Sequence, residues 1–123
     1  MRAVVVVLGA AHLALGLLAL LAPATFFDEI GHYGVENLHY VGDVGAFTAG
    51  YGAALLLAVR RPTWWAPLLT LGAIWFALHA LNHAFDTDEA VSQARGWLDT
   101  IVIGVSAAVL AWLARVASRM ERA

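Results

Sequence analysis

Two imidazoles stand four residues apart in His79-Ala80-Leu81-Asn82-His83-Ala84-Phe85-Asp86. On a helix, His79, Asn82, His83 and Asp86 share one face, and ring nitrogens at i and i+4 can converge on one ion. A second pair with this spacing is His39 and Asp43, with Glu36 and Asn37 one turn earlier. Imidazole and carboxylate donors suit zinc, copper(II) or non-haem iron. His39, Asp43, His79 and His83 are therefore the expected metal ligands. Asn37, Asn82, Asp86 and Asp99 are the expected partners that orient the rings. His12 stands apart, midway along the first apolar stretch, as a candidate cofactor ligand or as a hydrogen-bonding link between helices.

Plainer roles exist for several of these residues. Asp43 and Asp99 fall where helices are expected to begin, so each can be an N-cap. Asp86 can be a solvated residue past a helix end. His32, between Gly31 and Gly34, reads as a surface loop residue. The chain has no cysteine, which excludes thiolate metal sites, disulfides and cysteine nucleophiles. Two methionines give little support to thioether copper(I) binding. No phosphate loop, Gly-x-Ser-x-Gly elbow or lysine occurs, and nothing points to nucleic acid.

What positions these residues is a membrane. The chain has 123 residues, 62% hydrophobic and only 13% charged, with a net charge of −2. Water-exposed domains carry about 25% charged residues. Four apolar stretches approach the roughly 20 residues that cross a bilayer. They run over about 3–22, 43–59, 64–85 and 97–116. The first is longer than a signal-peptide core of about 7–15 residues and is read as a helix. The expected fold is an all-α four-helix transmembrane bundle, with a longer outer loop over 24–42 and a short helix near 35–41.

Orientation comes from arginine. Arg2, Arg60, Arg61, Arg115, Arg119 and Arg122 fall on one side, and only Arg95 on the other. This bias predicts a multi-pass protein of the cell membrane with both termini cytoplasmic. Asp28, Glu29, Glu36, Asp43, Asp86, Asp88, Glu89 and Asp99 fall on the opposite, outer side. Trp64, Trp65, Trp97 and Trp112 sit near helix ends, as aromatic belts do. Gly9 and Gly16 flank His12, and the second stretch is dense in Gly and Ala, which favours close helix packing in lipid. Under this topology the His/Asp cluster gathers near the outer interface. Ionisable groups in a span are functional candidates.

Three motifs together resemble a family. They are Pro23-Ala24-Thr25-Phe26-Phe27-Asp28, Asn37-Leu38-His39-Tyr40-Val41-Gly42-Asp43-Val44-Gly45-Ala46, and the His79–Asp86 segment. The chain resembles small actinobacterial four-helix membrane proteins, distant relatives of the DoxX-like group. The resemblance implies a polar cluster at Asn37, His39, Asp43, His79, His83 and Asp86. Gly42 stands where an arginine is expected and Asn82 where an aromatic is usual. Through the DoxX-like group the resemblance leans toward quinone-linked oxidation.

Three functions follow as expectations. The first is a membrane metalloprotein using copper, zinc or iron, as an oxidoreductase rather than a hydrolase. The second is a haem- or quinone-binding subunit of a redox complex, with His12 and His79 as axial candidates. The third is a non-catalytic scaffold subunit. Lipid is the expected surrounding, with a homo-oligomer or a larger membrane complex as partner. A transporter is weakly supported, since repeats and broken helices are absent.

Overall fold

The structure is a computed structural model that describes residues 1–31 and 33–122. His32, expected on the surface, lies outside the described residues. The fold is all-α, with four helices long and apolar enough to cross a membrane. Helix α1 spans Arg2–Leu21, α2 Pro23–Glu29, α3 Leu38–Ala58, α4 Trp65–Phe85 and α5 Gln93–Arg122. A single 3₁₀ turn over Pro62–Trp64 precedes α4. Only 22% to 39% of each apolar span is buried within protein, so other apolar matter must cover most of it. These four apolar helices mark the chain as a multi-pass integral membrane protein.

Two compact units divide the chain, Met1–Arg61 and Pro62–Ala123. In the first, α1 and α3 run antiparallel and α2 touches both. The buried face of α1 is Val5, Gly9, His12, Gly16 and Ala19, spaced four and three residues apart along one stripe. Gly45, Ala49 and Gly52 line the facing side of α3. These residues form a seam of backbone on backbone. A Cβ added at Gly16 would overlap the Ala49 backbone nitrogen, and one at Gly52 that of Leu13. At Gly45 it would lie 2.5 Å from the Leu20 nitrogen. Only glycine permits such an approach.

The second unit is an antiparallel hairpin of α4 and α5. Its turn is closed by Thr87, which is buried and packs on Gly96. A Cβ at Gly96 would stand 2.5 Å from the Thr87 carbonyl oxygen. At about 1.5 Å per residue, the 30 residues of α5 reach roughly 45 Å. That is the thickness of a bilayer with its headgroup layers. Trp97 and Trp112, both exposed, sit toward its two ends.

Helix boundaries differ from the apolar runs, for a physical reason. Apolarity marks the hydrocarbon zone, whereas a helix continues until its end groups find partners. Helix α3 starts at Leu38 rather than 43, because the Asn37 side chain accepts a hydrogen bond from the Tyr40 backbone N–H at 3.3 Å. The short helix expected near 35–41 is in its latter part the first turn of α3. Similarly, α5 starts at Gln93, where the Ser92 hydroxyl oxygen accepts from the Arg95 N–H at 3.3 Å. Helix α2, at 23–29, lies in what reads from sequence as loop. Pro23 starts it, and forces Ala22 out of the helical region (φ −138°, ψ 61°).

Glycine position decides the effect of adding a methyl. Gly16→Ala and Gly52→Ala are expected to lower stability by about 1–3 kcal/mol or more, through overpacking of the α1–α3 seam. Gly42→Ala and Gly50→Ala meet nothing within 4 Å. They are expected to be neutral or to stabilise by up to about 1 kcal/mol through helix propensity. Unfolding of the full-length protein by dodecyl sulfate in mixed micelles measures both pairs. Equal shifts in the two pairs would contradict the seam.

Candidate functional site

Helix α4 carries the expected imidazole pair on its last two turns. The rings of His79 and His83 stand 4.6 Å apart, centroid to centroid, at 72°. The helix stops one turn later, where the Asp86 N–H donates to the carbonyls of Asn82 (3.2 Å) and His83 (3.3 Å). His79 is exposed and His83 half-buried. Among the described residues His79 has no hydrogen-bond partner, and its ring lies against His83.

Two carboxylates, Asp86 and Asp99, stand nearer His83 than His79 within the same unit. Asn82 Nδ2 donates to Asp86 Oδ2 at 3.2 Å, so these two expected orienting residues engage each other. Asp99 is the seventh residue of α5, not its cap. Arg95 Nε donates to both Asp99 oxygens, at 2.9 and 3.0 Å. That pairing also accounts for the single arginine on the acidic side, whose charge is matched one turn away. The charges of Asp99 and Asp86 are those whose fields reach His83. The arrangement thus gathers two imidazoles, two carboxylates and one guanidinium at the α4–α5 turn.

The other unit holds the second pair. His39 Nε2 and Asp43 Oδ2 are 3.5 Å apart, with side chains 80% and 65% exposed. Asp43 is the sixth residue of α3, so the alternative role of N-cap falls to Asn37 instead. A sequence signal for this existed: Asn37 stands directly before the helix and three residues before the N–H it accepts from. Among the described residues no group of three or more His, Asp or Glu side chains stands together so as to hold a metal ion. The four expected ligands are present as two local pairs, one in each unit.

His12 is buried in the seam of the first unit. Its Nδ1 lies 2.7 Å from the Leu8 carbonyl oxygen, which can only accept, so Nδ1 carries the proton. The ring meets the edge or face of Tyr51 on α3 at 5.1 Å and 84°. This gives His12 the part of a link between α1 and α3. It lies in one unit and His79 in the other.

No protein-family model matches the chain, and no curated protein or solved structure matches it either.

Capping and charge can be separated by substitution. Asn37→Ala is expected to cost about 1 kcal/mol by unfastening the α3 start. Asp43→Ala, on an exposed helix surface, is expected to change stability by less than about 0.5 kcal/mol. Helix content and unfolding midpoints of the purified protein check this. A larger loss from Asp43→Ala would return the cap to that residue.

Proposed function

We propose that this membrane protein binds a transition-metal ion through His79 and His83, at the outer end of α4. The observation that carries the proposal is the pairing of those two rings on successive turns, 4.6 Å apart. One of them has no hydrogen-bond partner among the described residues, although it lies in a span. A polar side chain in that position needs a compensating partner, and a cation with open coordination sites is one. Neutral imidazole is the form that ligates, and Asp86 and Asp99 supply negative charge nearby. Water or a bound substrate would complete the coordination, as in sites that do chemistry rather than hold structure. A bound zinc, copper or iron ion would supply Lewis acidity or electron transfer there.

Within that proposal we favour an oxidoreductase or redox subunit of the cell membrane, with both termini in the cytoplasm. The DoxX-like resemblance supports the redox assignment, and the arginine bias supports the orientation. The His39–Asp43 pair is a separate contributor whose share is measurable. A quinone or haem in place of the ion is the second reading, and the same preparation distinguishes it.

The test uses the full-length protein purified in detergent, loaded in turn with zinc, copper(II) and iron(II), then freed of excess ion. The expected result is about one retained ion per chain for at least one metal. His79→Ala or His83→Ala should lower affinity more than tenfold. Asp86→Asn should lower it about 10-fold, as for groups that support ligands. Retention of none of the three metals, or identical retention by the two histidine variants, would overturn the proposal. A Soret band in the absorption spectrum, or quinone in the organic extract, would move the assignment to the second reading.

A further inference from the structure

The second unit has a groove that takes no part in the imidazole pair. It lies between α4 and α5, toward the opposite end of the hairpin, with a volume of about 870 Å³. Such a volume falls in the range of about 300–1,000 Å³ that holds small apolar ligands. Its walls are methyl groups: Ala73 and Ala77 from α4, and Ala107, Ala111 and Ala114 from α5. At one end the walls become cationic, with Arg115, Arg119 and Arg122. These arginines are exposed, and among the described residues none has an ion-pair or hydrogen-bond partner.

We propose that this groove holds an acyl chain of an anionic phospholipid, whose phosphate rests on Arg115, Arg119 and Arg122. Depth supports the assignment. From Ala107 to Arg122 the groove follows α5 for roughly 22 Å. One leaflet of hydrocarbon is about 15 Å thick, half the roughly 30 Å core. The alanine-lined part therefore lies among acyl chains and the arginine-lined part reaches the headgroups. Exposed Trp112, one turn before Arg115, stands where an aromatic belt marks that boundary.

Charge decides between occupants. The same helix face turns from Ala107, Ala111 and Ala114 to Arg115, Ser118 and Arg122. Whatever fills the groove must be apolar along one stretch and anionic at its end. A second copy inserted in the same direction would bring its own arginines to the same depth, where like charges repel. A zwitterionic lipid fits the apolar part but offers the arginines a cation beside its phosphate. An anionic phospholipid satisfies both parts, and basic pockets between membrane helices are known to take such headgroups.

Native mass spectrometry of the full-length protein in detergent tests this. The probe is an equimolar mixture of phosphatidylglycerol and phosphatidylcholine with identical acyl chains. Phosphatidylglycerol adducts should exceed phosphatidylcholine adducts by at least about fivefold. The variant R115Q/R119Q/R122Q should bring that ratio to about one. The variant R2Q/R60Q, whose arginines are not among the residues lining the groove, should keep it. Ala111→Phe fills the groove and should reduce bound lipid; Ala77→Leu does so from the other wall if the first variant does not fold. Equal retention of both lipids by the unaltered protein would overturn the proposal. So would loss of the preference in R2Q/R60Q, or undiminished lipid binding in both groove-filling variants. A lipid-free dimer that disappears when the groove is filled would assign the surface to a second copy instead.

Discussion

A polar group in hydrocarbon has no water to bond, and this governs how the side chains of the spans are arranged. Thr48, Thr70, Thr100 and Ser106 each donate to the carbonyl four residues back, at 2.7, 2.8, 2.9 and 2.8 Å. His12 does the same with Leu8, at 2.7 Å. Each of these hydroxyls and the ring N–H is satisfied inside its own helix. His12 also meets Tyr51 of α3. His79 departs from the pattern: among the described residues it has no hydrogen-bond partner.

Shape is then handled differently in the two units. Between α1 and α3 there is no burial of apolar surface from water to drive association, because lipid is as apolar as leucine. Backbone contact replaces it, through Gly16, Gly45 and Gly52. In the hairpin of α4 and α5 the tight contact is at the turn, where Gly96 meets Thr87. At Gly104 the nearest atom to a built Cβ is that of Ala80, at 3.9 Å, an ordinary distance. Past that level alanines of both helices line the groove. The groove runs along a hairpin that stays packed to its far end, where Leu69 and Ala117 are buried and α5 meets the Pro62–Trp64 turn.

The four spans were legible in the sequence because apolar length is a direct measure of bilayer thickness. The seam was legible too, since Gly9, His12 and Gly16 share a face and all three are buried. Helix ends were less legible. Asn37 and Ser92 set the starts of α3 and α5 through single side-chain hydrogen bonds, and hydropathy is blind to those. The pairs His39–Asp43 and His79–His83 follow from i, i+4 spacing once the segments are helical. Spacing within one helix says nothing of how donors on different helices converge. The arginines at the end of α5 were counted only for their side of the membrane. Their meeting with alanines of α4 needs the hairpin itself.

Charge along the second unit is separated by more than topology requires. Arg95 and Asp99 neutralise each other at the turn, in a contact short enough for a charge-assisted bond. At the far end Arg115, Arg119 and Arg122 have no such partner among the described residues. If the arginines served orientation alone, a nearby acid would do no harm, because acids contribute little to the positive-inside bias. Glu121 is that nearby acid, one residue from Arg122, yet it forms no ion pair with any of the three. Neighbours at i and i+1 point to different sides of a helix, so the groove-facing stripe of α5 keeps its positive charge uncompensated. In the proposed assignment this uncompensated stripe lies at headgroup depth, beside phosphate. The hairpin thus has two ends of opposite character: imidazole and carboxylate at the turn, and guanidinium beside an open apolar groove at the other.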